Sequence, residues 1–194
     1  MTAVQTHTGK PRLDPPPGRD FWVFGYGSLI WRPGFAHVEG RPAMLHGYHR
    51  RFCVYSKRYR GTPDCPGLVL GLARGGSCRG LAYRVPAAEG EPVMDYLYER
   101  EMVTGVYNPR WLKVRLDNGR EVAAAGFVVD TAHAQYAGRL SYPEMARLIR
   151  QGEGGRGSCI EYLRNTVEHL DALDMHDHAL HQLLRQVEAG GEAA

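Results

Sequence analysis

Through its first two thirds the chain alternates short apolar runs with glycine- and proline-rich breaks, then shifts to the spacing of amphipathic helices. Phe21–Phe24 (FWVF) is an unbroken apolar run and predicts a buried strand. Ala43–Tyr55 (AMLHGYHRRFCVY), rich in aromatic and β-branched residues, predicts a long strand bent at Gly47, or a hairpin. Leu68–Gly75 and Cys78–Pro86 predict two strands around a tight Gly-Gly-Ser turn, the second ended by Pro86. Arg110–Asp130 predicts a hairpin about Asp117-Asn118-Gly119. Lys113 and Arg115 alternate there with Leu112, Val114 and Leu116, so one face should be wet.

The helical signals are separate. Glu89–Met102 predicts a helix with Pro92 in its first turn, and Val93, Leu97 and Glu101 recur at i, i+4 and i+8 on one face. Tyr142–Gln151 follows a Ser141 cap, with Glu144 at the capping-box position. After a glycine-rich break at Gly152–Gly157, Ser158 caps a helix to about Asp171, and Asp177 begins one to about Val187. Strands come first and helices last, which predicts an α+β fold.

Composition narrows the function classes. The chain has 194 residues, 43% of them hydrophobic, and a net charge of +3, which suits one globular domain with no strong electrostatic partner. No apolar run approaches the ~18–20 residues of a membrane span. The first residues are polar and Pro-rich, lack the apolar core of a secretory signal, and predict a mobile tail through about Arg19 before a single domain at 20–190. Cys53, Cys65, Cys78 and Cys159 form no Cys-x-x-Cys pair and read as free thiols of a reducing compartment. His176, His178 and His181 match no common zinc spacing and read as exposed helix histidines, so no metal is expected. Arg50, Arg51, Lys57, Arg58 and Arg60, interleaved with Tyr55 and Tyr59, have the look of a nucleic-acid patch. No nucleic-acid motif accompanies them. A solvated rim, or a wall attracting a small anionic substrate, fits the small net charge better.

Two places carry candidate chemistry. In FWVFGYGSLIWRPGF (Phe21–Phe35), Gly25 and Gly27 flank Tyr26 and precede Ser28 and Leu29. Two glycines allow a sharp turn whose N–H groups converge on an anion or a developing oxyanion; the same residues also suit a plain strand-to-loop turn. The second is Glu101, on or beside the buried side of its helix. A carboxylate there is costly unless paired or functional. Burial and the negative helix end would tune it as a general base, while a salt bridge to a strand arginine fits the pattern equally.

Six blocks in order carry a resemblance: VFGYGSLIWRPGF (Val23–Phe35), YHRRF (Tyr48–Phe52), RGTPDCPGLVLGL (Arg60–Leu72), GLAYRVP (Gly80–Pro86), YLYEREM (Tyr96–Met102) and EYLRNTVEHL (Glu161–Leu170). Together they resemble the ChaC branch of the γ-glutamylcyclotransferases, from about Phe21 to Leu184. The resemblance implies a small closed mixed β-barrel flanked by helices, and cleavage of glutathione to 5-oxoproline and cysteinylglycine in the cytoplasm, without cofactor or metal. It implies Glu101 as the catalytic acid/base, Tyr26, Gly27, Ser28 and Leu29 as the substrate loop, and Tyr162 as a substrate contact. Arg50 or Arg51 would attract the substrate carboxylates or serve structure alone. Cys159 departs from the family, which often has Asn there; Ser158 replaces that Asn if its role is to cap a helix. The alternatives are another γ-glutamyl amino acid or amine as substrate, or a non-catalytic binding module on the same fold.

Overall fold

The computed structural model describes residues 9–190. In chain order its elements are β1 (Phe21–Gly25), β2 (Glu39–Ser56), β3 (Gly67–Val85), α1 (Gly90–Glu101), β4 (Tyr107–Leu116), β5 (Glu121–Val129), α2 (Tyr142–Gln151), β6 (Glu153–Gly154), β7 (Gly157–Ser158), α3 (Cys159–Asp171) and α4 (His178–Ala189). Strands β1-β3-β2-β4-β5 form a closed mixed barrel, as the α+β expectation and the family resemblance required. The seam is parallel: β1 pairs with β5 through Trp22↔Ala124 and Val23↔Ala125. The chain divides into two compact units, one running to Arg50 and resuming at Leu72–His133, the other comprising Arg51–Gly71 and the chain from Ala134.

In the first unit β1 is buried at all five positions, as its unbroken apolar run predicts. It pairs antiparallel with β3 from Phe21↔Val85 to Gly25↔Leu81. Gly80 lets the two backbones close up there, because a Cβ at that position would strike the Gly25 carbonyl and the Phe24 ring. The β4–β5 hairpin turns at Gly119 (φ 83°), as Asp-Asn-Gly predicts, but its first strand begins at Tyr107, three residues before Arg110. Helix α1 buries Val93, Met94, Leu97 and Tyr98, which confirms its inward face.

One strand assignment is corrected. Gly75-Gly76-Ser77 is not a hairpin turn, and β3 runs unbroken for 19 residues. Gly75 (φ 97°) and Gly76 (φ 69°) bend it instead, and His49 Nδ1 lies 2.9 Å from the Gly75 carbonyl. Two adjacent residues at positive φ serve a primed turn or a bulge equally well, so the dipeptide does not choose between them. Likewise Ala43–Tyr55 is part of the single strand β2, with Gly47 (φ 83°) near its middle.

The Pro-rich segment expected to be mobile through Arg19 has neither helix nor strand from residue 9 on, but it is tethered. Lys10 pairs with Asp130 at 2.6 Å, Arg12 with Asp95 and Glu91, and the Leu13 N–H donates to the Tyr98 hydroxyl. The rest of that expectation, residues 1–8, lies outside the described residues.

In the second unit, Ser141 caps α2 in a full capping box with Glu144, Ser158 caps α3, and Asp177 caps α4. The glycine-rich break is a two-residue ladder, β6 on β7. Ser158 is thus the helix cap, and Cys159 does other work. The buried Cys159 Sγ lies 3.0 Å from the Arg60 carbonyl and 3.3 Å from both the Leu68 N–H nitrogen and its carbonyl oxygen. Gly67 and Gly152 leave room for that sulfur, since a Cβ on either would run into it. Burial pushes the thiol up to about 11. Much of the basic stretch is engaged within the chain. Arg51 donates to the Leu140 carbonyl, Arg60 to the Ser158 carbonyl and Glu161, and Arg58 and Arg156 lie over the Tyr59 ring. No disulfide forms among the described residues, and no helix there is long and apolar enough to cross a membrane.

Candidate active site

β1 delivers the chain into the glycine turn at the end of the barrel strand. The turn closes on itself: the Ile30 N–H donates to the Gly27 carbonyl (2.8 Å) and the Arg32 N–H to the Ser28 carbonyl (2.9 Å). The amides of Gly27, Ser28 and Leu29 are not the donors of those bonds. Tyr26, Gly27 and Leu29 are buried and Ser28 is half-buried. From β3, Tyr83 supports the turn by donating its hydroxyl to both the Leu29 and Ile30 carbonyls at 2.9 Å. Burial pushes that phenol up to about 12, so it stays a donor. Phe35 and His37 pack edge-on against the same ring.

Glu101 ends α1, and its side chain is only 18% exposed. Its ion pair is made with its own neighbour: Arg100 Nε lies 3.2 Å from Glu101 Oε1. A salt bridge is one of the two expectations for this position. The same guanidinium reaches across to the turn. Arg100 Nη2 donates to Ser28 Oγ (2.8 Å), and Nη1 donates to the Arg32 carbonyl (2.6 Å) and the Tyr96 hydroxyl (2.8 Å). Glu101 and Ser28 are therefore both held by one planar cation.

Tyr96 also meets the loop after the turn. Gly34 (φ 73°) lies so close that a Cβ would overlap the Tyr96 hydroxyl. Arg50 is buried and donates to the Arg79 carbonyl and, at 3.5 Å, to Cys78 Sγ. Arg79 stands two residues before Leu81, the partner of Gly25, so this guanidinium is fixed at the strand end that carries the turn. Tyr162 belongs to the second unit, where it packs edge-on against Phe52 with the Arg60 guanidinium over its ring.

Arg100 thus joins Glu101 to Ser28, in the turn that also carries Tyr26, Gly27 and Leu29. Sequence reasoning missed Arg100, Tyr83 and Tyr96. Arg100 and Tyr96 lie in the same YLYEREM block as Glu101, one and five residues before it. An arginine preceding a buried acid by one residue was the available signal.

A family model described as ChaC-like protein matches residues 21–190. The chain belongs to the ChaC-like family. Its relatives include a protein of Escherichia coli named glutathione-specific gamma-glutamylcyclotransferase, 39% identical over 86% of this chain and 72% of its own length. Another, from Arabidopsis thaliana, is named gamma-glutamylcyclotransferase 2-3 and is 35% identical over 86% of this chain and 87% of its own. A crystal structure of the γ-glutamyl cyclotransferase specific to glutathione from yeast superposes with a TM-score of 0.81, at 25% identity, covering 88% of this chain and 96% of that one. The barrel with its four helices is thus the fold of this ChaC-like chain and of that enzyme.

Proposed function

We propose that this chain is a γ-glutamylcyclotransferase that degrades glutathione, with Glu101 as its acid/base. The observation that carries the reading is the Glu101–Arg100–Ser28 bridge, which holds a half-buried carboxylate one guanidinium away from the glycine turn. In the reaction the substrate's own α-amine attacks its γ-carbonyl, closing a five-membered lactam and expelling the peptide amine. An α-amine with an ordinary pKa of about 8 is largely protonated at neutral pH and cannot attack. Glu101 takes that proton and returns it to the leaving nitrogen, so one carboxylate serves both steps and no covalent enzyme intermediate is required.

The remaining residues position. The reaction is intramolecular, so holding the γ-glutamyl arm folded removes much of the barrier; effective molarities reach ~10⁵ M in well-oriented cases. The Gly27, Ser28 and Leu29 amides are the donors for the α-carboxylate or the developing oxyanion, and Tyr26 lines the turn. Arg100 fixes the turn relative to Glu101, and Arg50 stiffens the strand end below the turn while adding positive potential for an anionic substrate. The reducing cytoplasm is the place of action in this reading.

The Arabidopsis relative, named without reference to glutathione, keeps the broader class of γ-glutamyl compounds in view. Incubating the purified protein with glutathione and with a panel of γ-glutamyl dipeptides, and following 5-oxoproline, tests the assignment. Release from glutathione above all others is expected. Release from none, or from the other compounds alone, would overturn it.

A further inference from the structure

We propose that Asp171, His176 and His181 form a binding site for a late first-row divalent cation, with zinc as the reference ion. Asp171 ends α3, His181 lies in the first turn of α4, and His176 lies in the connection between them. The backbone holds that connection in one shape. Leu173 and Met175 both donate to the Leu170 carbonyl and Asp174 to that of Asp171, while Asp174 itself adopts a left-handed φ of 52°. Met175 is buried beneath, and Asp177 caps α4 through the Leu180 N–H.

The result is a convergence of three donors. His176 Nδ1 lies 2.8 Å and His181 Nε2 2.9 Å from the same oxygen, Asp171 Oδ1. The two rings are 5.8 Å apart between centroids, and all three ligand atoms fall within 4.8 Å of one another. A four-coordinate ion with bonds of about 2.0–2.2 Å needs its ligand atoms roughly 3–3.5 Å apart. Small side-chain rotations reach that spacing without moving the backbone. Two imidazoles and a carboxylate suit zinc, and also nickel and copper, far better than magnesium or calcium.

The ligand spacing, five residues and then five, is not that of a zinc finger or an i, i+4 helix pair, which explains why the histidines alone gave no metal signal. The ion ties the end of α3 to the start of α4 and leaves at least one position to water. Without an ion the same three side chains hydrogen-bond to one another, so the apo protein stays folded and binding adds stability.

The test uses the full-length, tag-free protein after chelator treatment. Zinc is titrated by calorimetry and thermal unfolding is followed in parallel; cobalt then replaces zinc for absorption spectroscopy. The expected result is one zinc per chain, a higher Tm, and cobalt d–d bands with no sulfur charge transfer. His176→Ala and His181→Ala should each weaken binding by more than the roughly 10–100-fold that loss of an outer-shell partner costs. His176 is largely exposed, so its variant tests the site without disturbing packing. The absence of saturable one-to-one binding, unchanged affinity in the double variant, or a thiolate band with cobalt would each overturn the proposal.

Discussion

Arg100 donates a 2.8 Å hydrogen bond from Nη2 to the hydroxyl of Ser28, 72 residues away in sequence. Its Nε edge faces Glu101, and Nη1 holds the backbone just beyond the turn. A lysine preserves the charge but not the fork, so it can satisfy only part of this set. Arg100→Lys should lower kcat/KM for glutathione by about tenfold to a hundredfold, the equivalent of one lost charge-assisted hydrogen bond at ~1.5–3 kcal/mol. Far-ultraviolet circular dichroism should stay unchanged. Full activity in the lysine variant would show that the bridge does not organise the site.

The Tyr83 hydroxyl serves two carbonyls of the turn from a buried position. Tyr83→Phe keeps the ring and its contacts with Phe35 and His37 but leaves both acceptors without that donor. A loss of about 1–3 kcal/mol in denaturant-derived stability is expected. A change within a few tenths of a kcal/mol would mean that the turn does not depend on this bond.

Gly34 and Gly119 separate two kinds of glycine requirement. Both have positive φ, but a Cβ at Gly119 meets open space, whereas one at Gly34 meets Tyr96. Gly119→Ala should cost about 1 kcal/mol from backbone strain. Gly34→Ala should cost clearly more, and should lower activity by displacing Tyr96 from Arg100. Equal stability losses and unchanged activity in both variants would contradict the contact.

Much of this was legible in the residues, for particular reasons. The buried strand β1, the β4–β5 hairpin and the three capped helices each have a local cause: an apolar run, an Asp-Asn-Gly turn, or a Ser or Asp with its downstream amide. Glu101 was legible because helical spacing put it in line with Val93 and Leu97. The continuity of β3 through Gly75-Gly76 was not, because a bulge and a turn share one dipeptide. Arg100 was not, because its partners come from the turn, the following loop and its own helix, and only tertiary placement joins them. Sequence alone marks Cys159 only as a replacement for an asparagine, while its partners, Arg60 and Leu68, are about ninety residues or more distant in sequence.

Burial pushes Cys159 up to about 11 and Cys53 to about 12. The folded chain therefore holds these protons more tightly than the unfolded chain, where a thiol titrates near ~8.5. Their contribution to stability is complete below that value and is lost as pH rises through about 11 and 12. Cys159→Ser, which does not ionise in this range, should flatten the alkaline fall in Tm. At neutral pH a thiol reagent should modify the exposed Cys65 first and the buried Cys53 and Cys159 only slowly. Rapid modification of either buried thiol in the folded protein would contradict their placement.

The central claim concerns the carboxylate at the end of α1. Glu101→Gln is isosteric and removes both the negative charge and the proton acceptor beside Arg100. Turnover of glutathione to 5-oxoproline by the purified variant should fall by at least the ~10²–10⁴-fold typical of a lost general acid/base, with thermal unfolding still cooperative. Near-wild-type turnover in that folded variant would contradict the account.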